Sequence, residues 1–291
     1  MHEAMFYKKL SSEKVQCELC PRGCTITEGK KGFCRTRKNI GGTLYAITYG
    51  KPCSISVDPI EKKPLYHFHP GELTLSIATC GCNLACDFCQ NWEISQADPE
   101  EMEVKEVSPA EIVAMAKAQN VKIISYTYTE PTVFYEYAYD TAKLAHEQGM
   151  FNVFVSNGMI NTEPLKKISP YLDAMNLDLK AWDDAFYKKI CHGMGLEPIK
   201  QTARNCKEFG IHLEVTNLII PGFNDSEEKI KELVEFVKDE LGTNVPIHFS
   251  RFFPHYKMSD VEPTSVEVVK RAGEIAEEMG MERVHLGNLP L

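Results

Sequence analysis

Three cysteines in the spacing C-x3-C-x2-C constrain this chain more than any other feature. They are Cys82, Cys86 and Cys89, and Phe88 stands directly before the last of them. Thiolates are the usual ligands of iron–sulfur clusters, and a 4Fe-4S cubane normally takes four of them. Three ligands leave one iron open to bind and activate a small molecule. The spacing therefore predicts a 4Fe-4S cluster with one iron that the protein does not ligate.

Packing in a core and binding of a zinc ion are the two alternatives to the cluster. Free cysteines can pack in a core as small hydrophobic residues, but a loop containing Gly81 and Asn83 is not typical of a core. A structural zinc ion takes four ligands, commonly in separated pairs. Cys80 could complete such a set, although a single residue separates it from Cys82. The spacing favours the cluster.

The residues before the cysteines predict where in the fold they lie. Residues 73–77 alternate apolar and polar side chains as a β-strand does, so the cysteine loop follows the carboxyl end of a strand, where α/β barrels place their chemistry. Further strands are predicted at residues 121–126, 151–155, 174–179, 211–218 and 246–250. Helices are predicted to begin at residue 108 and to span 132–148, 198–209, 226–240 and 265–279.

Strands that alternate with helices pair in parallel through right-handed crossovers. The predicted fold class is therefore α/β, a partial (β/α)6 TIM-type barrel that is open and occupies residues 71–291. Residues 1–70 are predicted to form a separate Cys-rich, metal-binding segment. Within that segment, residues 44–49 and 53–57 have the pattern of a β-hairpin.

Four more cysteines lie in this N-terminal segment, at Cys17, Cys20, Cys24 and Cys34. Four thiols make a closed ligand set, as in a structural zinc site or a saturated 4Fe-4S cluster. Their spacing matches no standard zinc ribbon. The sequence leaves three possibilities open here: a second cluster, a zinc ion, or thiols that bind no metal.

Composition limits the classes of function. A net charge of −9 gives no indication of a phosphate-backbone partner. No apolar run approaches the roughly 18 residues of a membrane helix, and the N-terminus lacks the apolar centre of a signal peptide. Eleven cysteines in such a chain indicate metal or catalytic use in a reducing compartment rather than disulfides. A soluble cytoplasmic protein without nucleic-acid or membrane partners is expected.

Polar residues follow the predicted strands at the end where a barrel keeps its site. They are Thr129 and Glu130, Ser156 and Asn157, Asp178 and Lys180, Glu214, Thr216 and Asn217, then Arg251 and His255. Any one of them could be solvated or cap a helix, but together they predict a polar ligand. Two histidines of a Pro-rich loop, His67 and His69, are more simply explained by packing than by metal binding.

The ordered motifs resemble the pyruvate formate-lyase activating enzyme branch of the radical SAM superfamily. Within it they are most similar to the radical SAM component encoded with AMMECR-type and Memo-type proteins. The matching segments span residues 17–34, 58–68, 81–83, 89–94, 129–131, 156–158, 178–180, 220–225 and 286–288. Two features depart from the family. The amine motif is Tyr128-Thr-Glu rather than Gly-Gly-Glu, and the Cys-rich tail of many relatives is either absent or lies outside this sequence, which ends at Leu291.

The resemblance implies that the open iron binds the amino and carboxylate groups of S-adenosylmethionine (SAM). Reductive cleavage would then give methionine and a 5′-deoxyadenosyl radical that abstracts hydrogen from a protein or small-molecule substrate. Catalytic side chains are not identified by it. The SAM contacts that it implies are Phe88 at the adenine, Thr129 and Glu130 at the amine, and Ser156, Asn157, Asp178, Lys180, Thr216 and His255 around the rest of the molecule.

The resemblance also implies an oxidoreductase that receives electrons from a flavodoxin or ferredoxin. Its substrate would be a glycyl residue of a partner protein, or an unknown molecule linked to a Memo-type partner. Two alternatives from other classes are a non-catalytic electron carrier with two iron–sulfur clusters and a zinc-binding interaction protein.

Overall fold

The computed structural model describes residues 1–290, and its N-terminal part is built from short β-strands. These are β1 (His2–Glu3), β2 (Tyr7–Lys9), β3 (Val15–Cys17), β4 (Thr25–Ile26), β5 (Arg37–Ile40) and β6 (Thr43–Ala46). They form two antiparallel sheets of three strands each, in the orders β2-β3-β4 and β1-β6-β5. Cys17 therefore ends a strand, and Cys20 and Cys24 lie in the connection between β3 and β4.

The remainder of the chain is organised around one sheet of eight strands. They are β7 (Ser54–Pro59), β8 (Leu73–Ala78), β9 (Ile123–Tyr126), β10 (Phe151–Ser156), β11 (Ala174–Asp178), β12 (His212–Ile219), β13 (Ile247–Arg251) and β14 (Val284–Gly287). Their order in the sheet follows the chain from β7 to β14. Strands β8 to β14 are parallel, whereas β7 pairs with β8 in antiparallel orientation. The sheet keeps two edges, so the predicted α/β class with an open parallel arrangement is confirmed.

Helices connect the parallel strands. They are α1 (Trp92–Ser95), α2 (Pro109–Ala118), α3 (Tyr135–Glu147), α4 (Thr162–Ile168), α5 (Asp184–Lys189), α6 (Glu197–Glu208), α7 (Glu227–Phe236) and α8 (Val266–Glu278). Helix α2 begins with a capping box, in which Ser108 accepts from the backbone N–H of Glu111 and Glu111 accepts from that of Ser108. No helix within residues 1–290 combines the length and the apolar character needed to cross a membrane.

The predicted hairpin between residues 44–49 and 53–57 is wrong. Strand β6 pairs with β5, and β7 pairs with β8 over six residue pairs, from Ser54 opposite Ala78 to Pro59 opposite Leu73. The physical reason is the exposed edge of β8: without β7, its backbone donors and acceptors would lack a partner on that side. Residues 54–59 thus belong to the main sheet. The sequence also missed β14, α4 and α5, which are four, seven and six residues long.

The residues between β7 and β8 fill the amino-terminal end of the barrel interior. We call residues 60–68 the plug segment. Its Ile60 and Leu65 are fully buried, and they pack against apolar residues of three neighbouring strands, Ile123, Val153 and Ala174. The plug segment thus covers apolar side chains of the sheet that would otherwise be exposed to solvent.

A buried carboxylate fastens the plug segment to the sheet. Glu214 of β12 accepts hydrogen bonds from the backbone N–H groups of Tyr66 (3.0 Å) and His67 (2.7 Å). The ring Nε2 atoms of His212 and His248 lie 3.1 and 2.7 Å from the same carboxylate. Burial alone would raise the pKa of Glu214, but these hydrogen bonds outweigh it and hold the pKa well below its ordinary value.

Glu214→Gln is expected to lower the free energy of unfolding by about 2–4 kcal/mol at neutral pH, because charge-assisted hydrogen bonds in a buried site are lost. A depressed native pKa stabilises the fold above the unfolded pKa of about 4.3, and this contribution disappears as the pH falls below that value. The wild type should therefore lose stability between pH 5 and 3.5 more steeply than the variant. Denaturant unfolding across this range measures both effects. Glu235→Gln, at an exposed position of α7, is the control, and equal acid sensitivity of wild type and Glu214→Gln would contradict the assignment.

Candidate functional site

A cavity of about 540 Å³ opens at the carboxyl ends of the parallel strands. All three cysteines of the C-x3-C-x2-C sequence line it, and so do seven of the nine residues predicted to contact SAM. Those seven are Phe88, Thr129, Glu130, Asn157, Asp178, Lys180 and Thr216. Lys62, Lys63 and Pro64 of the plug segment also line the cavity. The structure thus gathers most of the predicted set around one space large enough for a small ligand.

The cysteine loop owes its path to a glycine. Gly81 has a φ of +97°, and a Cβ at this position would lie 2.7 Å from the carbonyl oxygen of Cys34 and would also collide with Thr36. Only glycine tolerates both the left-handed conformation and this close approach. The loop therefore turns tightly after β8, against the N-terminal cysteine segment, and places Cys82 at the cavity.

Each cysteine of the loop has a polar neighbour from another part of the chain. The Asn157 side-chain amide donates to Cys82 Sγ at 3.6 Å, and Ser95 Oγ lies 3.3 Å from Cys89 Sγ. The thiol of Cys191 neighbours that of Cys86, and this contact together with burial raises the pKa of Cys86. Burial likewise raises the pKa of Cys82. A positively charged metal centre is what would hold such thiols as thiolates, and the groups beside Cys82 and Cys89 that can donate to sulfur suit a cluster with cysteine ligands.

Ser95→Ala is expected to lower the reduction potential of a cluster held here. The Ser95 hydroxyl, 3.3 Å from Cys89 Sγ, stabilises the more negative, reduced state by donating to the sulfur. Loss of one hydrogen bond of about 1 kcal/mol corresponds to about 40 mV for a one-electron couple. A redox titration followed by electron paramagnetic resonance (EPR) measures the shift. Ser125→Ala removes a buried hydroxyl that bonds to Thr74 instead and should leave the potential unchanged; an unchanged potential in Ser95→Ala would show that the hydroxyl does not act on the cluster.

Glu130 is a buried acceptor on the cavity wall. It accepts from the backbone N–H (3.0 Å) and hydroxyl (2.7 Å) of Thr132, the hydroxyl of Ser156 (2.9 Å) and the backbone N–H of Asn157 (2.8 Å). Burial raises the pKa of Glu130, and these hydrogen bonds oppose that shift. An ammonium group that entered the cavity would add the positive partner that favours the ionised carboxylate. Ser156 therefore contributes by orienting Glu130 and does not itself line the cavity.

The charges of β11 lie together on the cavity wall as their alternation predicts. Lys180 Nζ is 2.8 Å from an oxygen of Asp178 and 5.7 Å from the centre of the Phe88 ring. Burial alone would lower the pKa of Lys180, but Asp178 and the neighbouring thiols raise it well above its ordinary value. Asn217 supports this corner by donating to the carbonyl oxygens of Leu179 and Lys180. The wall thus offers one carboxylate and one ammonium group to a zwitterionic ligand.

Tyr128, which the sequence marked only as a departure from the family motif, lines the cavity. Its φ of +63° is left-handed, and it stands where the resembling family has a glycine. Asn91 holds this conformation by donating to the Tyr128 carbonyl at 2.7 Å. The Tyr128 hydroxyl donates to Asp58, whose carboxylate also accepts from Lys63 Nζ at 2.8 Å. Lys63 belongs to the plug segment. The tyrosine that replaces glycine at position 128 is therefore connected to the plug segment through the Asp58 carboxylate.

Besides Ser156 and Asn217, three of the polar residues predicted at the strand ends do not line the cavity: Glu214, Arg251 and His255. His255 is exposed beside Met258 and does not line the cavity. Glu214 belongs near the amino-terminal end of β12 and fastens the plug segment. Its position was misjudged because β12 is eight residues long and begins at His212, so that Thr216, two residues later on the same face, is the one that reaches the cavity.

The N-terminal cysteines occupy one region beside this site. Cys17 is buried, whereas Cys20, Cys24 and Cys34 are partly exposed. Among residues 1–290, no group of three or more Cys, His, Asp or Glu side chains is arranged around the position of a single metal ion. That finding applies equally to the three cysteines of the cavity. In a cubane each cysteine thiolate binds a different iron atom, so the cysteine sulfur atoms need not converge on one point.

Comparisons with known proteins agree with this geometry. The family model described as the radical SAM superfamily matches residues 76–237. An uncharacterized protein of Methanocaldococcus jannaschii is 52% identical over 290 residues, covering 100% of this chain and 86% of that protein. The pyruvate formate-lyase-activating enzyme of Clostridium pasteurianum is 24% identical over 68% of this chain and 88% of its own. A radical SAM methyltransferase from Sphaerobacter thermophilus shares the fold, with a TM-score of 0.58, 18% identity, and coverage of 75% of this chain and 67% of that one.

Proposed function

Because this chain belongs to the radical SAM superfamily, we propose that it is an enzyme that cleaves SAM reductively with a 4Fe-4S cluster. Membership of this superfamily implies both cofactors. One observation carries the proposal: Cys82, Cys86 and Cys89 line the same cavity as Glu130 and the Asp178–Lys180 pair. When bound, the cluster supplies the electron that splits SAM into methionine and a 5′-deoxyadenosyl radical, which takes hydrogen from the substrate.

The protein contributes ligands, orientation and a shielded cavity. Cys82, Cys86 and Cys89 would hold the cluster, and three thiolates would leave one of its four irons without a protein ligand. Glu130 binds the SAM ammonium group, since it is a buried carboxylate without a cation among its hydrogen-bond donors. Asp178 and Lys180 bind the ribose and carboxylate ends, and Phe88 packs on the adenine. Asn157 acts mainly through the cysteine loop, because its amide donates to Cys82 Sγ and to Asn83 Oδ1.

Glu130→Gln is expected to weaken SAM binding by about 10- to 100-fold, as loss of a charge-assisted hydrogen bond of about 1.5–3 kcal/mol predicts. The iron content should stay that of the wild type, because Glu130 does not ligate the cluster. Equilibrium binding of SAM to the reconstituted protein measures the effect, and iron analysis of the same samples confirms the cluster. Glu235→Gln serves again as the exposed control. Wild-type affinity in Glu130→Gln would remove this residue from the SAM site.

The reaction proposed beyond SAM cleavage is hydrogen abstraction from a protein or small-molecule substrate, which makes the protein an oxidoreductase. Similarity to proteins named pyruvate formate-lyase activating enzymes supports an activase-like reaction on a glycyl residue of a partner. We propose a flavodoxin or ferredoxin as electron donor, a Memo-type protein as a possible partner, and a reducing cytoplasm as the setting.

The direct test uses protein that has been purified and reconstituted without oxygen. With SAM and dithionite it should form 5′-deoxyadenosine and methionine in equal amounts, both measured by chromatography. The alternative function is a non-catalytic electron carrier with two clusters. A protein with full cluster content that neither binds SAM nor forms product would support that alternative and contradict the enzyme.

A further inference from the structure

We propose that Cys17, Cys20, Cys24 and Cys34 bind a second 4Fe-4S cluster, and that this cluster passes electrons to the one at the SAM cavity. The second metal site stands on the arrangement of its own residues, whereas the electron relay rests on the proposed function. The four cysteines make the complete ligand set that a saturated cubane requires.

The fold brings these four side chains into one neighbourhood. The backbone N–H of Cys17 donates to the carbonyl of Cys24 at 2.9 Å, so the two stand opposite each other across the β3–β4 hairpin. Cys20 lies in the turn between them, where the N–H of Gly23 donates to its carbonyl at 3.1 Å. Thr36 Oγ1 lies 3.2 Å from Cys34 Sγ, and the next residue, Arg37, places its Nη1 3.7 Å from Cys17 Sγ. A Cβ at Gly32, two residues before Cys34, would lie 3.9 Å from Cys24 Sγ. These contacts bring Cys34 beside the hairpin that carries Cys17 and Cys24.

The charges around the group suit an anionic centre. Arg37 is buried, and its Nη1 lies 3.7 Å from Cys17 Sγ. Arg22 is half-buried; it donates to the carbonyl oxygens of Asn83 (2.6 Å) and His192 and stacks on the ring of Phe33. Arg22 belongs to the turn that holds Cys20 and Cys24, and its hydrogen bond to Asn83 reaches the residue directly after Cys82. A guanidinium thus lies between the two groups of cysteines, and a cluster with four thiolates would give it a negative partner.

The two groups of cysteines are joined by direct contacts. The Cys34 carbonyl packs so closely on Gly81 that a Cβ there would lie 2.7 Å away, and Gly81 is the residue before Cys82. Beside Cys34, Arg35 donates to the carbonyl of Ser95 (3.1 Å) and to Gln96 Oε1 (2.8 Å). The Ser95 hydroxyl in turn contacts Cys89 Sγ. A short path through covalent bonds and packed atoms therefore leads from the N-terminal group to two ligands of the first cluster.

The relay transfers one electron at a time and needs no other chemistry. A reduced low-potential donor of the flavodoxin or ferredoxin class loses one electron, and the N-terminal cluster changes from the 2+ to the 1+ state. The electron then moves to the cluster at the SAM cavity, which is reduced from 2+ to 1+ while the N-terminal cluster returns to 2+. No bond or proton changes place. A zinc ion would use the same ligands but has no redox chemistry. It could not pass electrons to a cluster held by Cys82, Cys86 and Cys89.

Metal analysis of two complementary variants tests the site. Wild-type protein reconstituted without oxygen should hold about eight iron and eight sulfide per chain, and each variant about four of each. The first variant is Cys20→Ser with Cys24→Ser; the second is Cys82→Ala with Cys86→Ala and Cys89→Ala. SAM should alter the EPR spectrum of the first and not of the second. Iron in the wild type but none in the second variant would overturn the proposal, and so would one zinc per chain that the first variant lacks.

The second variant also keeps the test independent of folding and of the proposed function. It leaves all four N-terminal cysteines in place, so a misfolded first variant would not prevent the iron count that decides the matter. Its expected iron content does not depend on SAM cleavage. Conversely, wild-type protein that holds eight iron atoms per chain but forms no 5′-deoxyadenosine would contradict the proposed function and still support the second cluster.

Electron delivery tests the relay. With reduced flavodoxin as donor, the Cys20→Ser, Cys24→Ser variant should form 5′-deoxyadenosine no faster than a sample without flavodoxin. With dithionite, a small reductant that can reach the first cluster directly, the same variant should retain product formation. SAM affinity equal to that of the wild type would show that its cavity is intact. Equal flavodoxin-driven rates in the variant and the wild type would overturn the relay.

Discussion

A Cys86→Ala variant is expected to remain folded but to form 5′-deoxyadenosine only at the background level. Cys86 is buried at the cavity, and it is one of three thiols available to hold the cluster there. Removing it leaves two ligands, too few for a cubane whose fourth iron must stay open. Without the cluster no electron reaches SAM, so the loss of product should be complete rather than partial. The product is measured chromatographically after anaerobic reconstitution, with iron and sulfide determined on the same sample.

Cys206→Ala is the matched control for this experiment. Cys206 is a fully buried thiol of α6 that lies 3.7 Å from the sulfur of Met175 and does not line the cavity. Its replacement removes the same atom from a comparably buried position, so any general effect of the substitution on folding appears in both variants. Cys206→Ala should keep wild-type iron and product. Product from Cys86→Ala at the level of this control would refute the three-cysteine cluster site.

The cysteine loop and the strand-end residues could be predicted from the sequence because both depend on local patterns. A strand shows its alternation within five or six residues, and parallel strands bring their carboxyl ends to one edge whatever the details of packing. Glu130, Asp178 and Lys180 therefore reached the cavity as expected. His255 is the fourth residue of the long loop between β13 and α8, and the strand pattern does not determine where such a loop points.

The parts that could not be predicted depend on contacts between distant residues. The pairing of β7 with β8 and the burial of the plug segment follow from the exposed edge and the unfilled interior of the barrel, which no local pattern records. The left-handed Tyr128 depends on Asn91 and Asp58, 37 and 70 residues away.

A buried ion pair joins the N-terminal segment to the main sheet, and breaking it is expected to cost about 3–5 kcal/mol of unfolding free energy. Arg37 of β5 and Glu136 of α3 are paired, and each side chain is only 1% exposed. Met5 completes the link, because its carbonyl accepts from Arg37 at 2.8 Å and its N–H donates to Glu136 at 2.7 Å. In Arg37→Met the Glu136 carboxylate stays buried without its cation, and this uncompensated charge lowers the free energy of unfolding. Denaturant unfolding at pH 7 measures the loss.

A double-mutant cycle distinguishes the uncompensated charge from simple loss of packing. Replacing both partners, Arg37→Met with Glu136→Met, removes the two charges together and should recover most of the stability, as apolar substitutes for a buried pair often do. The surface control is Arg204→Met: Arg204 also pairs with two carboxylates, those of Glu197 and Glu240, but solvent screening limits such pairs to about 1 kcal/mol or less. If Arg37→Met costs no more than Arg204→Met, the N-terminal segment is held by its apolar contacts. If the predicted loss is found and the double variant reverses it, the cost of Arg37→Met is that of leaving the Glu136 carboxylate buried without its cation.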